Sequence, residues 1–460
     1  MKTHRYEMDM TNGPILKKMI VFCIPVLLSG LLQIFYNAAD VVVVGRYAGQ
    51  QALAAVGSTG SITNLLVSLF LGLSVGVSVV TSQYYGAKEE KNVSETVHTS
   101  ITVSLLGGII LAVVGFTFAR TFLLWMDTPA DVIDLSTKYM KICMLGMPAM
   151  LLYNFASAIL RAIGDTKRPL YFLTISGITN VVMNLFFVIV CGMDVDGVAL
   201  ATIISQYLSA VLVVICLMKS DGCYRLVWKQ LCITPQKLGK IARIGLPAGL
   251  QSALFNVSNV MIQSSVNSFG SAVMAGNTAA ANIENFIYTA MNSVYQGAVT
   301  FAGQNVGAKK PERLNRILLV CVCMTSAIGA SMGVLFTVFG RPLLGIYNSD
   351  PEIISSGLIR LSTIFCLYAI GGIMDVFSGM LRGMGCAIAP FSVSILGVCG
   401  VRIVWLLTVF AQFRTLEMLY LSYPVTWVVT ASCHCICYIF LKKKLTPRLI
   451  AEREASEAKI

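Results

Sequence analysis

Twelve stretches of about 20 or more mostly apolar residues follow one another along this chain, separated by short polar or basic joints. They run roughly over residues 15–45, 52–84, 93–124, 131–160, 169–192, 197–218, 239–267, 273–305, 314–340, 353–381, 388–412 and 417–441. Each is long enough for a helix to cross a bilayer. Several exceed that length, so tilted or bent helices reaching into water are expected. Composition agrees: 56% of the 460 residues are hydrophobic and 12% are charged, against about 25% charged in soluble chains. The expectation is an all-α polytopic membrane protein with twelve transmembrane helices.

The formal net charge of +12 invites a nucleic-acid partner until the basic residues are placed. With the N-terminus on the inner side, the inward joints hold Lys2, Arg5, Lys17, Lys18, Lys88, Lys91, Arg161, Lys167 and Arg168. They also hold the run from Lys219 to Arg243, the group Lys309 to Arg316, Arg382, and the residues from Lys442 onward. The outward joints hold only Arg46, Arg120, Arg341 and Arg414. The positive-inside rule then puts both termini in the cytoplasm. The basic excess is topological, and no nucleic acid is expected. The N-terminal lead-in has basic flanks but no small-residue cleavage site, so it reads as an uncleaved approach to the first span.

The chain also repeats itself. Gln83-Tyr84-Tyr85-Gly86-Ala87-Lys88 returns as Gln304-Asn305-Val306-Gly307-Ala308-Lys309, Leu160-Arg161 as Leu381-Arg382, and Pro169 as Pro390, all at an offset of 221. Pro25 matches Pro247 within one residue of it. Two homologous halves follow: a six-helix lobe at 1–218, a basic cytoplasmic linker at 219–243, a second six-helix lobe at 244–445 and a cytoplasmic tail at 446–460. An even number of spans gives both halves the same orientation, a parallel repeat. A carrier of this kind binds its cargo near the midplane and works by alternating access.

The candidate site residues are those that lipid would penalise. Asp40 lies in the first span, and a carboxylate in a membrane helix costs about 2.5–3.5 kcal/mol on insertion scales. Helical spacing sets Tyr36, Asn37 and Asp40 on one polar stripe. In the fifth span Asn180 and Asn184 stand four apart, so both amides can face one partner. Glu284 and Asp375 are two further embedded acids, with Arg360 and Arg402 as possible ion-pair partners. A proton arriving at Asp40 would neutralise it and change which helix packing is cheapest. Met144, Met147, Met150, Phe155, Met261, Tyr288, Met291 and Tyr295 would suit an adaptable apolar wall.

These features resemble the multidrug and toxic compound extrusion (MATE) antiporters. The resemblance rests on Pro25 with Asn37-x-x-Asp40, on Gln83-x-x-Gly86-Ala87-Lys88, on Leu160-Arg161-x-x-Gly164-Asp165-x-x-x-Pro169, and on the copies at Gly303-Gln304-Asn305 and Leu381-Arg382-Gly383. It covers roughly residues 10–445 and looks closest to the branch named after a damage-inducible protein. It implies an efflux pump in the cell membrane that exchanges small, often cationic and amphipathic compounds for an inward-moving cation. By position it implies an ion-coupling set of Asp40, Asn180, Asn184 and Thr202, with Tyr36 beside the acid. Asn184 departs from the family's usual aspartate, which favours H+ over Na+ as coupling ion. The substrate cavity is expected at Tyr36, Asn37, Glu284 and Asp375. The family's sodium-coupled branch carries acids in spans seven and ten, whereas span seven here has Gln251, Asn256, Asn259 and Gln263.

Other readings weigh less. Gly72-Leu73-Ser74-Val75-Gly76 fits the G-x-S-x-G string of serine hydrolases, but that elbow needs a strand–turn–helix. Small residues for close helix packing explain it better, so no enzyme is expected. Cys433, His434, Cys435 and Cys437 resemble a metal cluster, but adjacent odd positions splay about 200° apart on a helix. No metal or other cofactor is expected, and the 14 cysteines form no disulfide framework. Gly86-Ala87-Lys88 is expected to be a helix stop with glycine at its end. A flippase for lipid-linked sugars remains as an alternative cargo class, although it calls for a strongly cationic cavity. A monomer embedded in the lipid bilayer suffices for the mechanism, and with no nucleotide-binding fingerprint the energy source is an ion gradient.

Overall fold

The computed structural model describes residues 6–126 and 128–458. Lys2, Arg5 and Lys459, among the basic residues that set the expected topology, lie outside the described residues. Among the described residues every regular element is helical. The first repeat comprises α1 (Ile15–Val43), α2 (Gly49–Gly86), α3 (Glu90–Trp125), α4 (Ile133–Leu145), α5 (Met147–Ala162), α6 (Lys167–Leu185) and α7 (Val195–Met218). The second comprises α8 (Pro235–Asn267), α9 (Ser271–Gly307), α10 (Leu314–Val338), α11 (Gly340–Gly345), α12 (Pro351–Arg360), α13 (Tyr368–Gly383), α14 (Ile388–Ser394), α15 (Val401–Leu407), α16 (Val409–Gln412) and α17 (Leu416–Glu457).

These elements fall on the twelve expected stretches. Eight helices are individually long and apolar enough to cross a membrane, and two more spans are bent pairs. Met147, opening α5, follows Leu145 across a 45° bend, and α12 meets α13 across one of 49°. Helices α8 and α9 are 33 and 37 residues long but fall short in hydropathy. They carry Gln251, Asn256, Asn259, Gln263, Asn277, Glu284 and Asn285, and polar residues inside a membrane must face protein or a wet cavity. Lipid-side positions are apolar and open, among them Ile110, Val113, Val190 and Leu396.

Two compact units result. Among the described residues, one contains 6–9 and 28–249 and the other contains 10–27 and 250–458. The borders fall close to Pro25 and Pro247, the prolines inside α1 and α8. Within the first unit, α3 packs on α2, α4 and α5, and α6 packs on α7, over a core of Val67, Leu111, Leu123, Met140, Met144 and Leu151. Within the second, α9 packs on α10, α12 and α13, and α13 packs on α17. Its core holds Ile283, Ile287, Phe365, Tyr420 and Trp427.

Short π-helical turns interrupt four spans, at Val44–Ala48, Phe186–Val190, Leu361–Phe365 and Ile395–Gly400. Each lies within a few residues of a charged or amide side chain in the candidate set: Asp40, Asn184, Arg360 and Arg402. Such turns recur at functional sites because they re-aim side chains. The repeated Gly-Ala-Lys motif does stop α2 and α9, but the residue with positive φ is the lysine, Lys88 at 60° and Lys309 at 56°. Gly86 and Gly307 are the last residues of their helices, as expected, and the Lys88 N–H bonds the Tyr85 carbonyl and the Glu89 N–H that of Tyr84 just beyond. In the second copy the preceding amides act as a cradle. Gln304 Oε1 accepts the Met10 N–H at 3.1 Å, and Asn305 donates to the Met10 carbonyl at 3.1 Å.

The serine-hydrolase string is a helix crossing. Gly72 and Gly76 of α2 face Gly245 and Gly249 of α8, and a Cβ on Gly72 would overlap the Gly249 backbone. Ser74 Oγ donates to the Leu71 carbonyl of its own helix at 2.7 Å. Overpacking such a contact costs about 1–3 kcal/mol, so Gly72→Val is expected to lower the melting temperature of the purified protein. A Cβ on Gly57, also in α2, would meet nothing within 4 Å. Gly57→Ala should therefore be neutral or stabilising by up to about 1 kcal/mol; equal melting shifts in both variants would contradict this account of the crossing.

Candidate functional site

A cavity opens in each unit among the described residues, and much of the two linings corresponds through the sequence repeat. In the first unit the cavity has a volume of about 400 Å³ and is lined by Gln33, Tyr36, Asn37, Asp40, Thr63, Asn64, Met150, Asn154, Asn180, Thr202 and Gln206, among others. In the second it is about 430 Å³ and includes Phe255, Glu284, Asn285, Gly371, Asp375, Arg402, Tyr423 and Trp427. At the repeat offset of 221, Thr63 corresponds to Glu284, Asn64 to Asn285, Asn154 to Asp375, Thr202 to Tyr423 and Gln206 to Trp427. Many of the same positions form both walls, and the small polar groups Thr63, Asn154, Thr202 and Gln206 of the first are acids and aromatic rings in the second.

In the first cavity the expected residues meet. Asn184 Nδ2 donates to Asp40 Oδ1, and the same nitrogen lies 3.3 Å from Asn180 Oδ1. Asn180 and Asn184 are both buried, and the Asn184 carbonyl oxygen is buried without a partner. Among the described residues no cation pairs with Asp40. Tyr36 packs its ring on Gly177, where any side chain would overlap it, and its hydroxyl approaches the Thr174 carbonyl at 3.5 Å. Thr202, on the wall of this cavity, donates to the Val198 carbonyl at 2.9 Å. Gln206 Oε1, one turn further along α7, is buried without a partner; the sequence reading missed it, although its i, i+4 spacing from Thr202 is a signal that could have found it. Just beyond the site, Val43 and Val44 share a packed cluster with Val188 and Val198.

In the second cavity the two acids have different surroundings. Glu284 forms an ion pair with Arg360 at 2.5 Å and accepts the Tyr368 hydroxyl at 3.2 Å. Arg360 also donates to Asn277 Oδ1 at 2.6 Å, which takes a second bond from Tyr420 at 3.1 Å. Its guanidinium also lies over the Tyr420 and Tyr423 rings, while its Nε is buried without a partner. Asp375 joins no ion pair among the described residues. Arg402 lies 4.4 Å from the Tyr423 ring centroid and donates to Ser258 and Asn259. Of the adaptable wall proposed from sequence, Met150 lines the first cavity and Tyr288 and Met291 the second. Met144, Met147 and Phe155 are core, each at most 3% exposed. His434 is buried and faces the Met374 and Pro390 carbonyls, each at 3.3 Å.

Comparison with known proteins follows the same plan. The MatE family model matches twice, over residues 25–186 and 247–408. A probable multidrug resistance protein of Bacillus subtilis, YoeA, is 30% identical over 94% of this chain and 96% of its own length. The multidrug export protein MepA of Staphylococcus aureus is 22% identical over 81% of this chain and 83% of its own. Among solved structures, an outward-facing conformation of a multidrug resistance MATE family transporter of the MOP superfamily superposes with a TM-score of 0.90 at 20% identity. That match covers 97% of this chain and all of the other.

The Glu284–Arg360 pair yields a test of its own. Removing one partner of a buried pair costs about 3–5 kcal/mol because the other charge is left uncompensated. Arg360→Met should lower the melting temperature sharply, and Arg360→Met with Glu284→Gln should recover most of the loss. A double variant melting no higher than the single one would show that the two side chains are not energetically coupled.

Proposed function

The chain belongs to the MatE family, a family of membrane transporters, and from that premise we propose that it is a proton-coupled antiporter exporting small, often cationic amphipathic compounds. The observation that carries this reading is the division of labour between two sequence-equivalent cavities. One offers a single carboxylate among small amides and hydroxyls; the other offers two acids among Tyr368, Tyr423 and Trp427. The first suits a small ion. The second suits a flat apolar body with a positive charge, since cations are drawn to aromatic faces and to carboxylates alike.

A proton fits the first cavity better than sodium does. Hard cations are held best by several oxygens with more than one charge among them, whereas Asp40 is the one carboxylate among the described residues of this wall and the group facing it is the Asn184 amide nitrogen, a donor. That arrangement holds the ionised form. When Asp40 takes a proton its O–H needs an acceptor, and the unpartnered Asn184 oxygen becomes one if the amide turns over. The two protonation states thus select two orientations of one amide on α6. We take the resulting change in the packing of Val43, Val44 and Val188 to be the step that drives alternating access. In this reading the protein sits in the cell membrane with both termini in the cytoplasm, works as a monomer and needs no cofactor beyond the coupling ion.

Reconstitution in liposomes tests the proposal. Ethidium efflux should run on an imposed proton gradient, and Asp40→Asn should reduce it by tenfold or more, about 1.4 kcal/mol or above in barrier terms. Transport that runs on sodium and survives Asp40→Asn would move the coupling site to Glu284 or Asp375. Folded protein that moves no cation under either gradient would favour the lipid-linked sugar cargo.

A further inference from the structure

The second cavity contains a charge that cation export does not use. Arg402 is 3% exposed and lines the cavity wall. Its guanidinium makes two hydrogen bonds, both from Nη1 and both to neutral oxygens, Ser258 at 3.2 Å and Asn259 at 3.1 Å. Its Nε is buried without a partner, as is that of Arg360, but Arg360 has a carboxylate and, among the described residues, Arg402 has none within ion-pair distance. Glu284, the other acid on this wall besides Asp375, pairs with Arg360. A buried guanidinium has five donors in a fixed fork that matches a carboxylate, and a buried cation is stable only with a counter-charge or strong compensation. The Tyr423 ring supplies part of that compensation. The open space beside it is the cavity, and the other charge there without an ion pair is Asp375.

We propose that Arg402 is an anion subsite, and that the preferred cargo of this cavity is a zwitterionic amphiphile bearing a carboxylate for Arg402 and a positive group for Asp375, with its flat body against Tyr423 and Trp427. This deepens the efflux reading and rests on it. It adds a specificity rule: between two compounds of the same shape, the one with a free carboxylate binds better. A purely cationic compound leaves the arginine unanswered and places a second positive charge in the same cavity.

A matched dye pair tests the rule. Rhodamine 123 is the methyl ester of rhodamine 110, so the two share a cationic ring system and differ in the carboxylate. Fluorescence anisotropy with the purified full-length protein should show tighter binding of rhodamine 110. Arg402→Gln should weaken rhodamine 110 by about tenfold or more while leaving rhodamine 123 within about twofold. Arg402→Lys should retain part of the preference, and Asp375→Asn should weaken both dyes. Equal effects of Arg402→Gln on the two dyes, or no preference in the unmodified protein, would overturn the proposal. If Arg402→Gln binds neither dye, the charge-keeping Arg402→Lys decides: a preference for rhodamine 110 upholds the subsite and its loss refutes it. Ethidium efflux in liposomes is read separately, so a pump that runs while dye preference ignores Arg402 loses the anion subsite alone.

Discussion

A charged side chain within the bilayer has to be answered by another group or by enclosed water, and the arrangement of both units follows from that constraint. Glu284 is answered by Arg360 and Tyr368, Asp40 by an amide, and Asp375 and Arg402 by the space between the helices that carry them. The polar residues that keep α8 and α9 below the hydropathy of ordinary spans belong to the same account. They are tolerated because each meets a partner or a cavity, as Asn277 does by accepting from Arg360 and Tyr420 while donating to Gln263.

Internal repetition then lets one scaffold hold two chemistries. Wall positions are fixed by helix packing, so the repeat preserves where side chains stand but not what they are. Replacing Thr202 and Gln206 by their counterparts Tyr423 and Trp427 turns a polar pocket into an aromatic one. Moving the acid from the first span to the counterparts of Thr63 and Asn154 relocates the charge without relocating a helix.

Much of this was legible in the sequence because lipid makes the rules strict. The third span, expected at 93–124, is Glu90–Trp125, and the sixth, expected at 197–218, is Val195–Met218. The spacing of Asn180 and Asn184 foretold that both would turn to one side, and the structure sets them beside Asp40. What stayed hidden depended on distance along the chain. Arg360 and Arg402 were equal candidates to pair with the embedded acids, and only the packing of α12 on α9 separates them. The bend at Gly146 is announced by that glycine and by Pro148 at the start of α5, whereas the one near Leu367 carries no proline at the break. Lys88 and Lys309 take a backbone conformation that propensity assigns to glycine, because the helix-end bonds of the repeated motif fix it.

The unit borders inside α1 and α8 bear on how the protein is made. Met19 and Phe22 leave the ribosome near the start of synthesis, yet Gly297 and Phe301, against which they pack, arrive with α9. Likewise Gly72 waits for Gly245 and Gly249, which lie beyond the last helix of the first repeat. The first unit cannot close when its own repeat has been synthesised, and the segment 10–27 waits for the second repeat before it has anything to pack on. The order of membrane insertion and the order of folding are thus uncoupled, and a nascent chain halted after α7 exposes an α2 glycine face that the insertion machinery has to shield until the second repeat begins.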